Sequence, residues 1–127
     1  MIIKLRSYAK INLALSINYK RPDGYHDISS IMQEINLFDT LEISLNQTNH
    51  INIISKGIKV AENESNLCYI ATKLFFNQYN INQGIDIIIN KRIPIGAGLG
   101  GGSSNAAAVI KGLSQLFNVN VNKNIFY

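Results

Sequence analysis

After Asp86 this chain contains no aspartate or glutamate, whereas Lys91, Arg92, Lys111 and Lys123 all fall in that stretch. The C-terminal segment therefore holds nothing that repels an anion and several groups that attract one. Cysteine is almost as scarce. The single thiol, Cys68, cannot close an internal disulfide, which agrees with a reducing compartment, and its place in a helical pattern reads as a buried core position. No apolar run approaches the ~18 residues of a membrane span. Met1 to Arg6 lack the long apolar core and small-residue cleavage site of a signal peptide. A cytoplasmic location with no membrane partner is expected. Internal repeats and long linkers are absent too. What remains, 127 residues with 46% hydrophobic and 16% charged side chains, suits one folded domain with a real core.

Lys10 to Tyr19 alternates Ile11, Leu13, Leu15, Ile17 and Tyr19 on one face, as a half-buried strand does. Arg21-Pro22-Asp23-Gly24 supplies turn chemistry. Ile28–Ile35, Leu41–Leu45 and Ile51–Ile54 read as further strands of an antiparallel meander. Ser65 or Asn66 caps a helix running to about Tyr79, with Leu67, Ile70, Ala71, Leu74 and Phe75 as its apolar stripe. Ile85–Ile89, a continuous apolar run, reads as a strand buried on both faces. A second helix, capped by Ser103 or Ser104, carries a stripe of Ala106, Ile110, Leu113 and Phe117. Mostly antiparallel strands with helices gathered on one face make an α+β fold.

Between that last strand and helix lies Pro94-Ile95-Gly96-Ala97-Gly98-Leu99-Gly100-Gly101-Gly102-Ser103-Ser104. Its glycines allow backbone turns closed to other residues and close approach of a ligand to the main chain. The helix that follows offers free N–H groups and the positive end of its dipole. That combination is a phosphate cradle. No lysine stands inside the loop, so it is not a Walker A sequence. Gly96, Gly98 and Gly101 satisfy G-x-G-x-x-G, but no acidic residue lies ~20 positions further on to hold a ribose, so a dinucleotide site is disfavoured. A protein-kinase loop would need a DFG segment downstream, and none is present. Lys91 and Arg92, immediately before the loop, are candidates for ligand contact or for solvated surface.

Pro94 through Ser104, followed by Asn105-Ala106-Ala107, resembles the glycine-rich ATP loop of the GHMP kinases. Ala9-Lys10-Ile11-Asn12-Leu13 and Arg21-Pro22-Asp23-Gly24-Tyr25-His26 are similar to N-terminal signatures of one branch of that family, as is the triple glycine Gly100–Gly102. That branch phosphorylates the tertiary 2-hydroxyl of 4-diphosphocytidyl-2-C-methyl-D-erythritol with ATP and Mg²⁺, in the non-mevalonate route to isoprenoids.

The resemblance implies a GHMP N-terminal ATP-binding domain over residues 1–127, related to the second domain of a ribosomal small-subunit protein. It implies that the loop from Pro94 to Ser104 holds the triphosphate and that Lys10 is catalytic. Asn12, Tyr25 and His26 contact the substrate, with Tyr25 and His26 at the cytosine, and Asn66 and Leu67 border the adenine. No side chain is assigned as a metal ligand of the protein itself. The family's general base is an aspartate in a Gly-x-Asp-Val-Pro segment after the loop helix, and residue 127 comes before any such segment. A truncated domain without its C-terminal partner is thus expected, with little kinase activity alone and a tendency to self-associate. Homoserine or mevalonate kinase remains the alternative within the family. A basic RNA-binding module, suggested by a pI near 9.3, lacks the expected arginine cluster.

Overall fold

A computed structural model describes residues 1–20 and 26–121, with the backbone alone for 13–20 and 26–31. Two long strands, β1 (Ile2–Lys20) and β2 (His26–Asn46), form an antiparallel pair. β3 (Ile51–Gly57) leads into helix α1 (Leu67–Tyr79), which returns the chain to β4 (Gly84–Lys91) and then to α2 (Gly101–Leu116). The sheet order is β1-β2-β4-β3. Leu41 and Ile43 of β2, Ile85, Ile87 and Ile89 of β4 and Ile53 of β3 are buried in one core with Cys68, Phe75 and Phe76 of α1 and Val109 and Leu113 of α2. The fold is α+β as expected.

Three expectations about the sheet are corrected by this arrangement. β3 is not part of an antiparallel meander: it pairs with β4 in parallel. Parallel neighbours need a crossover, and α1 is that crossover. The runs at 28–35 and 41–45 are one strand, not two. Tyr8 pairs with Phe38 but Lys10 with Glu34, so β2 spends extra residues on a bulge there and its alternation breaks. β4 is covered fully on one face only, because Asp86 and Ile88 between its buried isoleucines are half-exposed.

The helix stripes are also rotated. In α1 the buried set is Cys68, Ala71, Thr72, Phe75 and Phe76, whereas Leu67, Ile70 and Leu74 are 47%, 42% and 53% exposed. In α2 it is Asn105, Val109, Gly112 and Leu113, with Ala106, Ile110 and Phe117 only half-buried. Gly112 explains the second rotation. A Cβ there would stand 2.6 Å from the Cδ1 atoms of both Ile43 and Leu5, so the helix backbone lies directly on the sheet at that point. Close approach on the Gly112 side fixes which face turns inward.

Candidate functional site

The strand–loop–helix unit β4–α2 builds the site. β4 ends at Lys91, and the backbone then runs through the glycine loop into Gly101, the first residue of α2. Gly96, Gly98 and Gly100 have φ of +74°, +72° and +67°, a left-handed conformation that disfavours side chains. They alternate with Ala97 and Leu99, which keep negative φ. Alternation of this kind turns successive amides toward one side and makes an anion-binding concavity.

The helix end beyond it is open. Gly100 is the N-cap of α2 and contributes no side-chain cap, so neither Ser103 nor Ser104 serves as the expected cap. Both sit within the first turn. Ser104 Oγ donates instead to the Tyr8 carbonyl at 2.9 Å. Among the described residues, no backbone partner outside the helix accepts an N–H from Gly98 to Ser103.

Strand β1 lies at the sheet edge, and the loop uses that edge. Lys10 N donates to the Leu99 carbonyl at 2.9 Å, which holds the loop's crest against β1 while Tyr8 receives Ser104. The opposite wall comes from the β3–α1 connection. Ile58 N donates to the Lys91 carbonyl, Val60 N to Ser55 Oγ, and Asn66 Nδ2 to the Ala61 carbonyl. Between wall and loop lies a cavity of about 590 Å³, lined by Lys59–Ala61, Ser65–Cys68, the run from Pro94 to Ser103, Lys91 and Asn105. It carries two lysines and no carboxylate.

Beneath the loop is a cluster that sequence reasoning missed. Asp39 is fully buried and Lys91 is 3% exposed, with Nζ 2.7 Å from Asp39 Oδ2. Lys91 Nζ also reaches Asn105 Oδ1 at 3.1 Å, and Asn105 Nδ2 donates to Asp39 Oδ2 and Ser7 Oγ, both at 2.9 Å. Asp39 Oδ1 accepts the amides of Arg92 and Ile93 at 2.6 and 2.9 Å. Burial pushes the Asp39 carboxyl up. The hydrogen bonds from Ile93, Lys91, Arg92 and Asn105 together outweigh it and hold the carboxyl below its usual 3.8. The available signal was an aspartate inside an apolar strand run, Leu37-Phe38-Asp39-Thr40-Leu41, since such a group is buried only with partners.

Residues 66–126 match the family described as the GHMP kinases N terminal domain. Over 121 residues the chain is 43% identical to 4-diphosphocytidyl-2-C-methyl-D-erythritol kinase of Bacillus subtilis (strain 168), covering 95% of this chain and 42% of the relative. A protein of the same name from Clostridium beijerinckii (strain ATCC 51743 / NCIMB 8052) is 47% identical over 118 residues, covering 93% and 42%. A crystal structure of 4-(cytidine 5'-diphospho)-2C-methyl-D-erythritol kinase superposes with a TM-score of 0.77 at 34% identity, covering 94% of this chain and 42% of that one. The chain has the fold of a GHMP kinase N-terminal domain, and its residues 66–126 match that family. It spans about two-fifths of the length of the curated relatives it matches. A crystal structure of mevalonate kinase, 24% identical with a TM-score of 0.71 over 96% of this chain and 43% of that one, shares the fold.

This domain gathers some of the expected site residues and not others. The loop from Pro94 to Ser103, with Asn66 and Leu67, lines the cavity described above. Lys10 and Asn12 are exposed on β1 and do not line it, although the Lys10 backbone is bonded to the loop. Tyr25 lies outside the described residues, and only the backbone of His26, at the start of β2, is within them. Lys91 is engaged with Asp39, while Arg92 places its guanidinium 6.0 Å from the centre of the Phe38 ring, outside the cavity lining. Cys68 is a buried helix residue as expected, its thiol pushed up to about 12 by burial. Among the described residues no group of three His, Cys, Asp or Glu could hold a metal ion.

Proposed function

We propose that this domain is the ATP site of a small-molecule kinase that phosphorylates the 2-hydroxyl of 4-diphosphocytidyl-2-C-methyl-D-erythritol. The observation that carries the nucleotide half is the row of amides from Gly98 to Ser103 with no backbone partner outside the helix among the described residues, lining a carboxylate-free cavity at an uncapped helix end. Phosphoryl transfer asks for positioning and charge stabilisation more than covalent chemistry, and backbone amides supply both to a triphosphate. The acceptor half rests on the relatives, which bear that substrate in their names at 42–47% identity.

In this reading the cavity wall at Val60, Ala61, Asn66 and Leu67 receives the adenine, and the loop receives the phosphates. Lys10, on the strand that holds the loop's crest, serves the transferring phosphoryl group as a cation. Asn12 projects from the same strand toward the acceptor, with Tyr25 and His26 at its cytosine end. Mg²⁺ would arrive on the triphosphate, where it neutralises phosphate charge. It needs few protein ligands, and Ser103, exposed in the first turn of α2, is the hydroxyl that fits this role. The compartment in this reading is the cytoplasm.

Isothermal titration of the chain with MgATP tests the nucleotide site. Saturable binding that disappears in Gly98→Val is expected, because Gly98 has φ +72° and a β-branched residue cannot follow it there. No binding at millimolar MgATP overturns the reading. A panel of the cytidylated methylerythritol, homoserine and mevalonate, followed by chemical-shift changes, tests the acceptor.

A further inference from the structure

The glycine loop has two stems, and one carboxylate holds both. Asp39 Oδ1 takes the amides of Arg92 and Ile93, the last residues before the loop. Asp39 Oδ2 takes the side-chain amide of Asn105, in the α2 turn that follows it. Lys91 closes the circuit by donating to both Asp39 and Asn105. The loop has little packing of its own to keep its shape. Around Gly96, Gly98 and Gly100 no atom of the described residues, beyond the glycine and its two chain neighbours, lies within 4 Å of where a Cβ would stand. Its geometry must therefore come from its stems and from the Lys10–Leu99 bond at its crest.

Stability alone does not call for this arrangement. Replacing a buried ion pair by apolar side chains of similar volume is often neutral or better. An apolar residue at 39 could not fix residue 93 relative to residue 105, and that separation sets the curvature of the loop between them. We propose that Asp39 is a positioning residue for the nucleotide, a clip across the base of the loop that keeps its amides in the binding arrangement. The proposal rests on the nucleotide reading above. If an unclipped loop held that arrangement only a tenth of the time, apparent affinity would fall about tenfold.

The decisive comparison is Asp39→Asn/Lys91→Met against Asp39→Ala/Lys91→Met. Both remove the two buried charges together, so neither strands an unpaired ion. The asparagine form keeps an oxygen for the stem amides and a side chain within reach of Asn105; the alanine form keeps neither. ¹⁵N relaxation would report the order of Gly96, Gly98 and Gly100–Gly102, and titration with MgATP would report affinity, at a temperature where melting curves show both forms folded. The alanine form is expected to show order parameters below about 0.6 in the loop, against about 0.85 for rigid backbone. It should also bind MgATP about tenfold more weakly than the asparagine form. Should the alanine form not fold, Asn105→Ala, which releases only the second stem, carries the same expectation against wild type. Equal loop order and equal affinity in the compared forms overturn the role of Asp39 while leaving the nucleotide site in place. A wild-type chain that takes up no MgATP overturns the site and this role together.

Discussion

The two helices of this domain begin at the same cavity and end their backbones in opposite ways. At α1 the Asn66 side chain accepts the Cys68 amide at 2.8 Å and donates to the Ala61 carbonyl, so the helix end is closed by its own sequence. At α2 the cap is a left-handed glycine with no side chain, and among the described residues the amides of Gly100 to Ser103 have no backbone partner outside the helix. Both ends carry the positive pole of a helix dipole. Only one keeps its donors available. In the proposed reading the difference puts the anion at α2 and gives α1 the part of a wall. Below the open end lies a buried ion pair; below the closed end lies an apolar core.

The largest expected effect comes from that ion pair. Lys91→Met leaves the Asp39 carboxylate buried without its cation, which should cost about 3–5 kcal/mol of stability in denaturant titrations. Acid attacks the same place. The unfolded carboxyl titrates near 3.8 and the folded one lower, so the unfolded chain takes up the proton first. The stability Asp39 contributes is complete above the unfolded value and is lost as pH falls below about 4. Amide exchange, corrected for intrinsic rates, should then quicken at Arg92 and Ile93, whose amides Asp39 holds at the base of the α2 loop, before Cys68 at the α1 end, whose cap has no ionisable group. Simultaneous opening of both ends would mean that they are not energetically distinct.

Next in size is the effect of closing the open end. Ser103→Asp puts a carboxylate in the first turn of α2, where it favours the dipole by about 0.3–1 kcal/mol and should leave the melting temperature level or raised. The same charge faces the phosphates and should weaken MgATP binding by about a hundredfold, or about 2.7 kcal/mol. Stability and affinity are expected to move in opposite directions. A smaller effect separates neighbouring glycines. A Cβ at Gly101 would meet Lys91 Nζ at 2.7 Å and Ile93 Cγ2 at 2.9 Å, both held in place by the Asp39 cluster. Gly101→Ala should therefore destabilise by about 1–3 kcal/mol. At Gly102 the nearest atom is the mobile end of Leu67 at 3.3 Å, so Gly102→Ala should be neutral or gain helix propensity of up to about 1 kcal/mol.

The glycine loop was legible in the sequence because its chemistry is local, although its serines were read as caps. Glycine spacing, the missing acids after Asp86 and the alanines of the next helix are all readable along the chain. The clip was not, because Asp39 meets Lys91 and Asn105 across 52 and 66 residues: its apolar surroundings signal that it has partners but not which ones. Lys91 was visible only as a cation beside the loop, and a buried partner turned it inward. The helices were found but their faces were misjudged: in α1 two apolar stripes overlap at helical spacing, and Phe76 with Thr72 outweighs Leu67 with Leu74. The parallel β3–β4 pair was implied by the helix between them, but the short Ile51–Ile54 run carried no sign of direction.

The smallest prediction bears on the closed end. Asn66→Ala removes the cap on Cys68 N and the bond to the Ala61 carbonyl, and loss of a cap typically costs about 1 kcal/mol. Asn66→Asp keeps the acceptor and adds a charge that the dipole favours, so its cost should stay within a few tenths of a kcal/mol. If α1 only forms a wall, MgATP affinity in the alanine variant should follow the stability loss and fall far less than in Ser103→Asp. A drop of comparable size would mean that the Asn66 amide contacts the nucleotide directly, and that the end closed in this structure opens to the ligand when it binds.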